Sequence, residues 1–240
     1  DVYKRQTYDN AVIENSKISE KNKIQNNQSM LDDIMNSTQY PKQLKDLALK
    51  NEEALEFVYD YPAEHVKEHT IDLTEEASMD SVPLFVQWDK RWGYEKYSGN
   101  FFAASGCGPT TLSMVVVYLT HNRDASPIAV AKYSKEAGYS VDGSGSSWTL
   151  ISEGCMHYGV KAKAVALDES RMKAELDEGH PIVVNVGPGD FTDTGHFMVI
   201  TGYDDEGFSI NDPNSIEKSG KRWLFKNISS QIRAVWSMYV

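Results

Sequence analysis

Two apolar runs in the second half of the chain, "PIVVNV" (181–186) and "HFMVITGY" (196–203), constrain the fold more than any other feature of the sequence. Each is too short for a buried helix and rich in β-branched residues, so each reads as a strand of a covered sheet. The second run leads into the turn "DDEG" and then "FSIND" (208–212), which supplies a hairpin partner. "VKAKAVA", ahead of both, alternates apolar and lysine side chains as a half-buried strand does, and "RAVWSMYV" closes the chain as a further strand. The segments before these strands carry helix punctuation. "SPIAVAKYSKEAG" offers Ser126 as N-cap, Pro127 at the first helical position and Gly138 just past the end. "SSWTLISEGCMHYG" repeats the plan, with a serine to open and Gly159 to close. Asp168 can cap a helix that turns Met172 and Leu176 inward and stops at Gly179. Helices first and a mostly antiparallel sheet afterwards make an α+β domain, without the strand–helix alternation of a doubly wound fold.

This domain is expected over residues 81–240. Residues 1–29 are polar, rich in asparagine, lysine and serine and without a sustained apolar period, and they read as a flexible lead-in. Residues 30–80 form a helical N-terminal region and connector. Leu44, Leu47, Ala48, Leu55 and Val58 recur at helical spacing, Pro62 punctuates them, and "IDLTEEASMD" (71–80) is irregular. The helices are expected to dock on the domain at 81–240. The net charge is −11, with most of the imbalance before residue 81 and no run of lysine and arginine anywhere. A phosphate backbone therefore finds no basic surface, which argues against nucleic acid as the main partner. No stretch approaches the roughly eighteen consecutive apolar residues of a transmembrane segment. The chain opens at Asp1 with neither methionine nor signal segment, so composition leaves its compartment open.

Chemistry concentrates at "SGCGPTTLSM" (105–114), where one of only two cysteines lies between two glycines ahead of a helical pattern. Gly106 and Gly108 leave the approach to Cys107 uncrowded, and Pro109 suits the first turn of a helix. A thiol at that end of a helix meets unpaired backbone N–H groups, which favour the thiolate and can hold an oxyanion. Cys155, among bulky neighbours in "SEGCMHYG", reads as structural. The two cysteines form no close-spaced ligand set, and His65 and His69, four apart, lack a third ligand nearby, so no metal or cofactor is called for. His121, His157 and His180 sit in turns or on a helix as capping or surface residues. His196 differs, because it follows the loop "GPGDFTDTG" and opens an apolar strand that would hold its ring rigidly. It is the candidate base. With the turn at 204–207 between the two strands, a hairpin is expected to bring residues 196 and 212 to the same end of the sheet as cross-strand neighbours, so Asp212 becomes the carboxylate that orients the imidazole. Asn211 would point to the other face.

These stretches carry a resemblance. "VPLFVQWDKRWG" (82–93), "SGCGPTTLSMV" (105–115), "GHFMVITGYDD" (195–205) and "NDPN" (211–214) together resemble the double-glycine leader peptidase-like family of cysteine peptidases, of the bacteriocin-processing type and with a papain-like fold. The closer likeness is to stand-alone bacterial members that carry a short helical lead-in. The resemblance implies Cys107 as nucleophile, His196 as base, Asp212 as its orienting partner and Gln87 as a donor to the oxyanion hole. Gln87 lies twenty residues before Cys107, a longer interval than in transporter-linked members, and no GxxxxGK[ST] motif is present. The expected function is thiol-dependent hydrolysis of a peptide or isopeptide bond through an acyl-enzyme, without a cofactor. An acyltransferase using the same triad and a catalytically silent cell-surface binding module are the alternatives. Gly106, Trp148, Phe191 and Gly195 are the expected substrate-binding positions; Trp148 and Phe191 belong to glycine-rich loops that border the cleft, where either could line a subsite or equally well pack in the core. The substrate would be a peptide or protein, and the resemblance implies an extracellular or cell-surface location.

Overall fold

No glycine or proline interrupts the chain before Pro41. Residues Val2–Asn36 accordingly form one long helix, α1, where a flexible lead-in was expected over residues 1–29. Polar residues such as glutamine, lysine and glutamate cost little in a helix, so lack of an apolar period does not by itself break one. The computed structural model describes residues 2–240, with side chains from Ser19 onward; Asp1 and the earlier side chains of the expected lead-in lie outside the described part. The chain divides into two compact units, residues 1–66 and 67–240. In the first, α1 packs with α2 (Lys42–Lys50) and α3 (Leu55–Tyr59). Ile34, Leu44, Leu47, Ala48, Leu55, Phe57 and Val58 are buried there, the residues of the helical spacing among them.

The second unit is built on a helix, α4 (Cys107–Thr120), and a six-stranded sheet. Two more helices, α5 (Pro127–Glu136) and α6 (Glu169–Asp177), start at caps legible in the sequence. The Ala129 N–H donates to Ser126 Oγ at 3.3 Å, and the Arg171 N–H to Asp168 Oδ1 at 3.0 Å. The main strands are β1 (Lys161–Ala164), β2 (Ile182–Val186), β3 (His196–Asp204), β4 (Gly207–Asn211), β5 (Arg222–Trp223) and β6 (Ile232–Tyr239). Their order is β1-β6-β2-β3-β4-β5, and every neighbouring pair is antiparallel. Alternation divides the two apolar runs between two cores. Val183, Phe197 and Val199 meet Leu112, Met114, Val115 and Val116 of α4 on one face. Ile182, Val184, Met198 and Ile200 meet Met172 of α6 and Ile210 on the other. Coverage on both faces is why these strands read as continuous apolar runs.

Three local readings differ from the structure. "SSWTLISEGCMHYG" is a short α-helix, Thr149–Ser152, followed by a 3₁₀ turn, Gly154–Tyr158. The break falls at Gly154, whose Cα is hemmed in by Tyr139 and Leu150. The glycine-rich stretch 140–148 is a tied ribbon rather than a flexible turn: Ser140–Val141 pairs with Gly145–Ser146. It is fastened to the preceding hairpin turn by Gly143 N–H to Ser98 O and Gly145 N–H to Ser98 Oγ, each 3.0 Å. The connector 71–80 belongs to the second unit's core, where Leu73 and Ala77 are buried.

Candidate active site

The nucleophile candidate sits where the helix begins because its neighbours have no side chain. A Cβ on Gly106 would lie 2.6 Å from the Phe102 ring and 2.7 Å from the Phe102 carbonyl oxygen. One on Gly108 would lie 2.5 Å from Ser146 Oγ. Neither has a positive φ, so close approach rather than backbone freedom is what calls for glycine here. Cys107 is half-buried at the first position of α4, whereas Cys155 is fully buried and burial pushes its thiol up to about 11. That pair of environments separates a reactive thiol from an inert one.

His196 opens β3, and its Nε2 lies 2.7 Å from Asp212 Oδ1. The ring lies close enough to Cys107 for each group to shift the other's titration. Burial alone would raise the Cys107 thiol, but the bond to His196, the imidazolium charge and backbone N–H groups of Phe197 and Gly108 outweigh it and hold the thiol below its ordinary value. Burial likewise pulls His196 down, and the Asp212 charge, its hydrogen bond and the contact with Cys107 overcome it, raising the imidazole to about 10. Both shifts favour a thiolate–imidazolium pair over two neutral groups.

Asp212 is itself held firmly. Asn214 N–H donates to Oδ1 at 2.8 Å, and Asp212 N–H donates to Ser219 Oγ at 2.9 Å. Its Oδ2 is buried and has no hydrogen-bond partner among the described residues. The strand arithmetic needs a correction. Val199 pairs with Asn211 and Gly202 with Ser209, and a bulge between Ile200 and Gly202 shifts the register. Asp212 thus lies beyond the end of β4, and its contact with His196 runs diagonally instead of straight across.

Gln87 is buried in a segment without regular structure, and its Nε2 donates to Ala103 O at 2.7 Å, four residues ahead of Cys107. The amide's second N–H remains. Trp148 is 46 % exposed and meets Trp236 edge-on at 6.0 Å, while Gly195, with no atom closer than 4.0 Å to an added Cβ, leaves open space beside His196. Phe191 corrects its expectation. It is 4 % exposed in the second core and packs on Trp223 at 4.6 Å, so it faces the interior and not a substrate. Its loop is fastened by Gln231, which accepts from Asp190 N–H and donates to Asp190 Oδ2. Sequence reasoning missed the Ser219 hydroxyl, since a serine seven positions from Asp212 carries no signature. Among the described residues, Glu175, Glu178 and His180 bring ligand-type atoms within 4.8 Å of one another. Glu175 is already engaged by Lys163 and Ser237, so the group reads as an ion-pair staple.

The model of the Peptidase_C39 like family matches residues 79–240. Nothing among the curated proteins matches the chain. The solved structures similar to it include the peptidase domain of Streptococcus ComA, a bifunctional ABC transporter involved in quorum sensing, at 18 % identity and a TM-score of 0.46 over 66 % of this chain and 96 % of that one. A Bacillus anthracis protein described as C39-like has 18 % identity and a TM-score of 0.41 over 66 % of this chain and 95 % of that one.

Proposed function

Because the chain belongs to the Peptidase_C39 like family of cysteine peptidases, we propose that it hydrolyses peptide or isopeptide bonds with Cys107 as nucleophile and Cys107, His196 and Asp212 as a triad. The observation that carries this reading is the buried His196 Nε2–Asp212 Oδ1 contact at 2.7 Å beside a Cys107 thiol that His196 holds below its ordinary value. The thiolate attacks the carbonyl carbon, and the carbonyl electron pair moves to oxygen. The Gln87 amide and the N–H of Cys107, in the first turn of α4 where a helix supplies no carbonyl partner, hold that oxyanion. The C–N bond breaks as His196 gives its proton to the leaving amine, leaving an acyl group on sulfur. Water, deprotonated by the neutral imidazole, attacks the thioester and returns the sulfur to thiolate. Asp212 keeps the ring oriented and stabilises its charged form. Exposed Trp148 and the open space at Gly195 are the places for substrate side chains and backbone, whereas Gly106 is closed in by Phe102 and offers no such space. A thiol-directed activity probe tests the triad. It labels Cys107 in the wild type and loses that labelling in His196→Ala; equal labelling of both proteins rejects the reading.

A further inference from the structure

The segment that carries Gln87 has neither helix nor ladder to hold it, and Gln87 is separated from Cys107 by twenty residues of chain. The bond of Gln87 Nε2 to the Ala103 carbonyl holds the amide itself, but the backbone that carries it must be held as well, since misplacement by about 1 Å is enough to lose most of an oriented group's effect. The loop around Asp212 supplies that support. Asn211 Nδ2 donates to the Val82 carbonyl at 3.0 Å and to the Pro83 carbonyl at 3.1 Å. Gln87 N–H donates to the Pro213 carbonyl at 2.7 Å, and Trp88 Nε1–H to the Asn214 carbonyl at 3.3 Å. Four hydrogen bonds thus stitch residues 82–88 to residues 211–214. The backbone of Asn211 is itself set in the sheet, opposite Val199. We infer that Asn211 is a positioning residue for the oxyanion donor. Its side-chain amide anchors the Gln87 segment to the loop bearing Asp212, so one short stretch aligns the imidazole on one side and the Gln87 amide on the other.

The inference rests on the peptidase reading above and adds to it that Asn211 works through Gln87 alone. The Asn211 side-chain hydrogen bonds go to the Val82 and Pro83 carbonyls and not to the sulfur or the imidazole, so its loss should weaken the oxyanion site and leave the ion pair intact. The separating measurement pairs hydrolysis of a library of peptidyl-aminomethylcoumarin amides with the pH dependence of Cys107 alkylation by iodoacetamide. Alkylation needs the thiolate and no oxyanion hole. Asn211→Leu, which keeps side-chain bulk and removes the donors, should lower kcat about tenfold with little change in KM, and its alkylation profile should overlay the wild type. In a Gln87→Ala background the same substitution should have no further effect on kcat. A full tenfold loss in that background, a loss confined to KM, unchanged kcat, or a displaced alkylation profile overturns the assignment. Should Asn211→Leu fail to fold, Trp88→Phe removes one stitch while keeping a ring, and a smaller kcat loss that vanishes in the Gln87→Ala background is expected; persistence of that loss is equally fatal. Wild-type protein that is alkylated normally but cleaves no amide in the library overturns the peptidase reading itself, an outcome distinct from additivity in the cycle.

Discussion

At the scale of single residues, the protonation states of Cys107 and His196 are set by contacts they share. The thiol is held below its ordinary value chiefly because the imidazole opposes the effect of burial, and the imidazole is raised to about 10 because Asp212 does the same for it. Activity should therefore rise with pH through the lowered Cys107 titration and fall again as His196 loses its proton near 10. Asp212→Asn removes the charge that raises the ring, so the alkaline limb of the kcat/KM profile should move to lower pH, with less loss of rate than Cys107→Ala causes. An alkaline limb left in place would assign it to some other group. These three residues were legible in sequence because each stands in a stretch of unusual chemistry: glycines around a cysteine, a histidine opening an apolar strand, an aspartate before proline. Phe191 was not, since an aromatic side chain in a glycine-rich loop suits a cleft wall and an interior equally well.

At the scale of elements, local signals and long-range ones separate cleanly. The caps at Ser126 and Asp168 depend on residues three apart and can be read from the sequence directly. The bulge between Ile200 and Gly202 depends on how β3 and β4 settle between two cores, and its one local sign is the glycine inside the strand. Even so it moves the register by a single residue; the expected pairing of 196 with 212 fails because the turn at 204–207 lies nearer to 212 than to 196, and the contact is made diagonally. A second long-range device is the attachment of α6 to the sheet. Glu175 accepts hydrogen bonds from Ser237 of β6 at 2.8 Å and from Lys163 of β1 at 3.0 Å. The Ser237 bond, with help from Lys163 and His180 against the cost of burial, lowers its carboxyl from 4.5 to about 2. A carboxyl depressed on folding stabilises the protein fully above its unfolded value and ceases to do so as pH falls through the folded one. Glu175→Gln should thus cost about 2 kcal/mol in urea unfolding at neutral pH, with the deficit shrinking as pH drops from 4.5 toward 2. A pH-independent deficit would make the contact one of packing only.

At the scale of the whole molecule, the instructive segment is 67–80. Its sequence, "KEHTIDLTEEASMD", is acidic and irregular, and the family match begins only at residue 79. On sequence grounds it is a tether. Yet it folds with residues 67–240 as one unit, inserts Leu73 and Ala77 into the core that α4 covers, and accepts a hydrogen bond from Arg91 Nη1 at Glu76 Oε1, 3.0 Å away. The Ala77 carbonyl also meets His121 Nδ1 at 2.8 Å, at the far end of the helix that begins with Cys107. Four apolar residues at irregular spacing in an acidic run do not register as a periodic pattern, and the residues that Leu73 and Ala77 pack against lie far along the chain, so burial here was not readable from the segment alone. Cutting at residue 67 leaves the second unit's core intact, whereas cutting at residue 81 exposes the pocket that Leu73 fills. Emptying such a site typically costs about 3 kcal/mol, which for a unit of this size corresponds to a fall of roughly 10 °C in Tm. The chain 67–240 should then unfold cooperatively by calorimetry, and 81–240 should melt about that much lower. Equal melting of the two would reduce the buried leucine to a contact without consequence and return 67–80 to the role of a tether.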